Sequence, residues 1–164
     1  MLFFVYGTLK AGFPNHHHLP SACKLVGAAT TVDLYPLVVA DHFHGLPFLI
    51  NQPGVGFHVH GEVYEVAEGE SSTIVGTFLD QFEGVAGGMY ERVSLSIAVD
   101  SAIGGDSRDS YDSRNRDADG DVLTAFSYVC GAGCGAGTGR ELMMRYPLIP
   151  CYKTTTSFVA REDR

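Results

Sequence analysis

Long apolar stretches and basic residues are both scarce in this sequence of 164 residues. A membrane-spanning helix needs about 18 consecutive apolar residues, and no stretch of the sequence is that long. The first residues, Met1 to Gly7, have no basic region and too short an apolar run for a signal peptide. Lys and Arg number 11 against 19 Asp and Glu, so a net charge of -8 repels a phosphate backbone. We expect neither a membrane nor a nucleic acid as a partner.

Only four cysteines occur, Cys23, Cys130, Cys134 and Cys151, and they are scattered through a chain in which we find no secretory signal. Free thiols and a cytoplasmic location are therefore expected. Cys130 and Cys134 are spaced as C-x-x-x-C rather than the redox C-x-x-C, and no Gly-Lys-Ser/Thr of a phosphate loop follows. We interpret 131–139, where every second residue is glycine, as an irregular Gly-rich loop.

The histidines, all of which lie in the first 60 residues, are the candidate ligands for a metal ion. Two pairs have i, i+2 spacing, which on a strand places both imidazoles on one face. No carboxylate or cysteine spacing completes a recognisable ligand set, however, so we expect no metal and no other cofactor. The histidines are His16, His17, His18, His42, His44, His58 and His60.

Glycine and proline are plentiful, at 20 and 7 residues, so turns are frequent and a long helical bundle is not expected. With 45% apolar residues the chain can bury one core, and we predict a single domain over 1–164. The segment 101–121 is rich in aspartate and almost devoid of apolar side chains, so burial cannot offset its ordering entropy. We predict that it is a flexible acidic insertion.

Apolar patterning predicts short strands and one convincing helix. Val75, Phe78, Leu79 and Phe82 have helical spacing, with Ser71 or Ser72 available as a cap and Gly84 as the stop, and this apolar face is expected to lie on the sheet. A brief helix from His16 to Leu19 is also expected, capped by Asn15. The predicted strands, mostly antiparallel neighbours, are Leu2–Tyr6, Lys24–Asp33, Leu37–Ala40, Leu46–Asn51, Val59–Val66, Val93–Val99 and Val122–Val129.

The segment Tyr6-Gly7-Thr8-Leu9 closes the first predicted strand. Glycine lets the backbone turn sharply and expose consecutive N–H groups, which can hold a carboxylate or an oxyanion. The alternative is a turn with a structural role alone.

Glu83 lies in the last turn of the predicted helix, where the negative end of the helix dipole disfavours a second negative charge. Phe82 and the downstream pair Met89-Tyr90 could also shield it from water. Both effects raise the pKa of a carboxyl group towards the range of a general base at neutral pH. Alternatively, Glu83 points into solvent at a frayed helix end. Asp80, one turn earlier, is expected to be the solvated acid.

Several segments together resemble the gamma-glutamyl cyclotransferase-like family, and most closely its gamma-glutamylamine cyclotransferase branch. The resemblance covers about residues 3 to 98 and continues at 122–129. It rests on these segments in the family's order: Phe4–Lys10, Gly12-x-Pro14-Asn15-His16, Tyr35–Ala40, Leu46–Leu49, Pro53–Gly56, Gly61–Tyr64, Leu79-Asp80-x-Phe82-Glu83 and Tyr90-x-Arg92.

The resemblance implies an α+β fold: a small mixed, mostly antiparallel β-barrel with a few short helices packed outside. It also implies an enzyme that cyclises the gamma-glutamyl group of a gamma-glutamyl amine, such as gamma-glutamyl-epsilon-lysine, to 5-oxoproline. The catalytic residue of the family corresponds to Glu83, and its substrate loop to Tyr6, Gly7, Thr8 and Leu9. Because the substrate's own amine attacks, this chemistry needs no metal or catalytic triad.

Three alternatives stay open on the sequence. The substrate could instead be a gamma-glutamyl amino acid or glutathione, as in other branches of the family. The same fold could serve as a non-catalytic module that binds a small carboxylate, and a histidine metal protein is the third possibility. The tail 140–164 packs over the barrel or over a partner chain, and the oligomeric state is left undecided.

Overall fold

Five strands close into a barrel in the computed structural model, and two more form a separate antiparallel hairpin. The structure describes residues 1–67, 69, 73–102, 122–134, 137–153 and 158–159. The barrel strands are β1 (Leu2–Val5), β2 (Cys23–Thr31), β5 (His60–Val66), β6 (Tyr90–Ala102) and β7 (Val122–Cys130), and the hairpin strands are β3 (Leu37–Ala40) and β4 (Leu46–Leu49). The barrel order is β1-β5-β2-β6-β7, in which only the closing pair β1–β7 is parallel. This confirms the mixed, mostly antiparallel barrel.

Strand β1 holds the barrel closed because it is apolar along its length. Phe3, Phe4 and Val5 are all buried, and Phe4 pairs with Val63 on β5. On the other side Phe3 aligns with Phe126 of β7, and their rings stack 5.6 Å apart. The apolar run Leu2–Val5 therefore forms a strand that pairs on both edges, and its last residue, Val5, is buried.

The predicted helix is present as α1, which comprises a π-helical part, Ile74–Leu79, and an α-helical turn, Asp80–Phe82. Val75, Leu79 and Phe82 are buried in the core, as their spacing predicts. Gly84 ends the helix with a φ of 69°, which glycine adopts without strain. Spacing does not predict the π geometry, and the expected caps, 71 and 72, lie outside the described residues.

One local prediction for the first half of the chain is wrong. Asn15 does not cap the short 3-10 helix His16–His18, because its Nδ2 instead donates to Thr8 Oγ1 at 2.9 Å. His42 and His44 lie in the turn between β3 and β4, between the two predicted strands, so their i, i+2 spacing does not place them on one face of a strand.

The two segments expected to be irregular are only partly so. Ser101 and Ala102, assigned to the acidic insertion, pair with β2 as the end of β6, and 103–121 lies outside the described residues. Gly139, the last residue of the predicted Gly-rich loop, begins helix α2 (Gly139–Arg145). Thr138 caps that helix by accepting a hydrogen bond from the N–H of Glu141.

Residues 149–152, which follow α2, pack on the hairpin and the barrel. The N–H of Ile149 donates to the carbonyl of Leu37, and the N–H of His60 donates to the carbonyl of Pro150. Tyr152 is fully buried, and its carbonyl accepts from Lys10 Nζ. Of the two possibilities for the tail, the described residues up to 153 therefore favour packing within the same chain.

Candidate functional site

The five residues predicted for the site lie together in one cleft. Tyr6, Gly7, Thr8 and Leu9 follow β1, while Glu83 follows α1, and all five line an open cleft of about 430 Å³. The remaining lining residues come from β1, β4, α1, β6 and β7: Phe3, Phe4, Val5, Pro47, Leu79, Tyr90, Ser127 and Tyr128. Two segments more than 70 residues apart in sequence thus line the same cleft.

The loop after β1 presents three consecutive backbone N–H groups. Within the described residues, no hydrogen bond is donated by the N–H of Gly7, Thr8 or Leu9, although the loop itself is ordered by the N–H of Lys10 donating to Gly7 O. Thr8 and Leu9 are only 9% and 4% exposed. Consecutive N–H groups that lack protein acceptors, on residues that line a cleft, are suited to hold an oxygen that carries negative charge.

Glycine is required at position 7 by close packing. A Cβ built on Gly7 would lie 2.9 Å from Pro47 Cγ, which is shorter than real Cβ contacts. Pro47 belongs to β4, and its carbonyl accepts the hydroxyl of Tyr90 at 2.8 Å. The hairpin and the loop after β1 therefore fix each other, and both line the same cleft.

Glu83 is half-buried at the end of α1, where its N–H donates to the carbonyl of Leu79. It lines the cleft together with the loop after β1, which favours the predicted general base over a side chain in open solvent. Phe82, Met89 and Tyr90, the residues expected to shield it, line a neighbouring cleft with it. The raised pKa of Glu83 itself stays a prediction.

Two buried tyrosines of the cleft are held in the neutral form. Burial raises the pKa of Tyr6 and of Tyr90 well above the usual range, and the charge of Glu83 adds to both increases. The hydroxyl of Tyr6 donates to the carbonyl of Tyr128 at 2.6 Å and accepts from the N–H of Leu49. These hydroxyls are therefore structural donors that join β1, β4 and β7 around the cleft.

Asp80 is not the solvated acid that the sequence indicated. Its carboxylate accepts the hydroxyl of Tyr128 at 2.7 Å and forms an ion pair with Arg92 at 3.1 Å. Tyr128 lines the cleft, whereas Asp80 does not. Asp80 thus fixes a wall residue of the site, and the pairing depends on a strand distant in sequence, which helix spacing alone could not reveal.

The Gly-rich loop supports the turn after Glu83, a role that the sequence analysis did not recognise. The N–H of Gly133 donates to Gly88 O, and the N–H of Gly131 donates to Met89 O. A Cβ on Gly131 would lie 2.2 Å from Gly88 O, so this approach requires glycine. Gly131 and Gly133 let this part of the loop lie directly against the backbone that follows Glu83.

A second cleft, of about 520 Å³, adjoins the first. Thr8, Glu83 and Tyr90 line both, so Glu83 stands where the two meet. The second cleft is lined in addition by Asn15, Leu46, Gln81, Phe82, Gly84 and Met89. A ligand that reached from one cleft into the other would pass Glu83.

No group of three or more His, Cys, Asp or Glu in the described part of the chain is placed to hold a metal ion. His58 and His60 instead contact Thr31 O and Thr30 Oγ1 through their Nδ1 atoms. The four cysteines, all of them described, form no disulfide. Among the described helices, none has the length and apolar character needed to cross a membrane.

Comparison with known proteins gives concordant matches. The family model described as gamma-glutamyl cyclotransferase, AIG2-like matches residues 3–139. A curated protein named gamma-glutamylaminecyclotransferase from Bos taurus is 44% identical over 105 residues, which are 62% of this chain and 58% of that protein. The protein of the same name from Homo sapiens is 40% identical over 102 residues, 60% of this chain and 62% of that protein. The matched region thus spans about three fifths of these curated relatives.

Solved structures share the fold. The crystal structure of an AIG2-like protein from Mus musculus has a TM-score of 0.72 and 30% identity, covering 99% of this chain and 97% of that chain. A solved gamma-glutamyl cyclotransferase has a TM-score of 0.52 at 22% identity, covering 79% of this chain and 66% of that chain. The second similarity concerns the fold alone.

Proposed function

Because the chain belongs to the gamma-glutamyl cyclotransferase, AIG2-like family, we propose that it cyclises the gamma-glutamyl group of a gamma-glutamyl amine to 5-oxoproline and releases the free amine. The proposal is supported above all by the single cleft that Glu83 shares with the three N–H groups of Gly7, Thr8 and Leu9. The amine as leaving group is supported by the curated relatives named gamma-glutamylaminecyclotransferase.

The reaction brings together two groups of one molecule. The α-amine nitrogen of the substrate attacks its own γ-carbonyl carbon, the new C–N bond closes a five-membered ring, and the bond to the leaving nitrogen breaks. The products are 5-oxoproline and the amine, and no water is consumed. A cleft that holds the γ-glutamyl group folded supplies most of what such an intramolecular reaction requires.

We assign the proton transfer to Glu83. Its carboxylate takes a proton from the attacking nitrogen and returns it to the leaving nitrogen, so the side chain ends as it began. The half-buried position beside Tyr6 and Tyr90 excludes much of the water that would otherwise stabilise the charged form. No other carboxylate lines the cleft within the described residues.

We assign the loop Tyr6 to Leu9 to substrate binding. As the amine attacks, negative charge develops on the γ-carbonyl oxygen, and preorganised N–H donors stabilise it without further rearrangement. Gly7 permits the approach of the loop to Pro47, and the hydroxyl of Tyr6 holds the base of the loop on β7.

The test is to incubate the purified chain with gamma-glutamyl-epsilon-lysine, gamma-glutamyl-alanine and glutathione and to measure 5-oxoproline. We expect 5-oxoproline from the first substrate at the highest rate. Faster formation of 5-oxoproline from gamma-glutamyl-alanine or glutathione would show that the enzyme prefers that substrate over a gamma-glutamyl amine. Release from none of the three, with 5-oxoproline still bound in calorimetry, would refute catalysis and favour a carboxylate-binding module.

A further inference from the structure

Asn15 carries a buried oxygen for which the described part of the chain offers no hydrogen-bond partner. The residue is 2% exposed, and its Oδ1 is unpaired. The rest of its polar atoms are used locally, because Nδ2 donates to Thr8 Oγ1 at 2.9 Å and the backbone N–H donates to Thr8 O at 3.0 Å. An oxygen that has lost water without gaining a donor is unfavourable, and a ligand that donates a hydrogen bond removes this cost.

The position of Asn15 indicates which part of a ligand it meets. Asn15 lines the second cleft, which contains Glu83 as well, and does not line the first. The first cleft offers N–H donors, from Gly7 to Leu9, and therefore suits oxygen atoms. The second is lined by Asn15, whose Oδ1 is an acceptor without a donor among the described residues, and therefore suits a nitrogen that carries hydrogen.

A γ-glutamyl amide likewise has acceptor oxygens on one side of its scissile bond and a donor nitrogen on the other. Its acyl half carries carbonyl and carboxylate oxygens, whereas its leaving half begins with an N–H. If the scissile bond lies at Glu83, the acyl half occupies the first cleft and the leaving nitrogen faces the second. The buried oxygen and the substrate N–H then complement each other.

We propose that Asn15 is a further substrate-binding residue, whose Oδ1 accepts a hydrogen bond from the N–H of the scissile amide. The inference rests on the proposed function. With its N–H directed to Asn15, the leaving nitrogen receives the proton from Glu83 at its lone pair as the C–N bond breaks. The amine departs with two hydrogens, its original one and the one that Glu83 returns.

The test compares two substrates that differ only in the leaving atom, γ-glutamyl n-butylamide and the corresponding n-butyl ester. The ester has oxygen in place of N–H and cannot donate to Asn15. In Asn15→Leu, we expect kcat/KM for the amide to fall about 3- to 10-fold relative to the ester, as for the loss of one hydrogen bond between uncharged groups. The affinity for 5-oxoproline, which lacks the leaving amine, is expected to stay unchanged.

Two further variants keep the test decisive. Asn51→Leu makes the same substitution at an exposed turn outside both clefts, and its amide-to-ester ratio is expected to equal that of the wild type. Asn15→Ala also removes the oxygen but adds no bulk, so it covers the case in which Asn15→Leu does not fold. Its amide-to-ester ratio is expected to fall as that of Asn15→Leu does.

The outcomes separate this inference from the function on which it rests. Equal losses on amide and ester, with weaker 5-oxoproline binding, would mean that Asn15 only supports the loop, and the inference would be wrong. An unchanged ratio in both Asn15 variants of an active protein would overturn it as well. A wild type that cyclises neither substrate would refute the proposed function, and this inference with it.

Discussion

Gly7→Ala should disturb the junction between the loop after β1 and the hairpin. The added Cβ would lie 2.9 Å from Pro47 Cγ, whereas ordinary contact begins at 3.4 Å, so one of them must move by about 0.5 Å. Pro47 has a rigid ring and accepts the Tyr90 hydroxyl, so it cannot rotate away. Overpacking of this kind costs about 1–3 kcal/mol. At roughly 2–4 °C per kcal/mol for a chain of this size, the melting temperature should fall measurably.

The matched control is Gly76→Ala on α1, where a Cβ meets nothing within 4 Å. Alanine is favoured over glycine in a helix by about 1 kcal/mol, so this variant should be as stable as the wild type or more so. Calorimetry and 5-oxoproline binding measured on both variants distinguish the two positions. If Gly7→Ala has the same melting temperature as Gly76→Ala and binds 5-oxoproline as tightly as the wild type, the close approach of the loop and Pro47 is not present in solution.

Three other changes test the walls of the cleft. Tyr6→Phe leaves the carbonyl of Tyr128 without its donor and should lower the free energy of unfolding by about 1–3 kcal/mol in urea titration. Burial holds the pKa of Tyr6 and Tyr90 well above 10, so the unfolded chain loses these protons first, and stability that is complete below about pH 10 should decline above it. A flat melting temperature from pH 9 to 11 would contradict this. Asp80→Ala frees the Tyr128 hydroxyl and should cost about 1 kcal/mol while most 5-oxoproline formation is retained, since Asp80 does not line the cleft; complete loss would assign Asp80 a direct role.

The sequence predicts those features that depend on local pattern. Alternation and short apolar runs identify the strands to within a few residues, and the spacing of Val75, Leu79 and Phe82 identifies the buried face of α1. Gly84 is identified as the helix stop because glycine commonly ends helices in the left-handed conformation, and Gly84 adopts it. The proximity of the loop after β1 to Glu83 comes from the family resemblance, since no local pattern relates two segments so distant in sequence.

The features that the sequence does not predict all depend on contacts between distant segments. Asn15 is suited to cap a helix, and only its neighbour in space, Thr8, explains why it does not. The helix spacing of Asp80 indicates a solvated acid, and only the folded structure shows that Arg92 on β6 and Tyr128 on β7 contact it. The alternating glycines after Cys130 are typical of a linker, and only the packing of Gly131 and Gly133 on Gly88 shows that these two positions require glycine.

The most direct measurement compares 5-oxoproline formation by Glu83→Gln with formation by Glu65→Gln, which makes the same change on the exposed face of β5. Loss of a general base lowers turnover by about 10²- to 10⁴-fold. We therefore expect Glu83→Gln to be nearly inactive while still binding 5-oxoproline, and Glu65→Gln to match the wild type. Turnover of Glu83→Gln at the wild-type rate would remove Glu83 from the reaction and contradict the proposed mechanism.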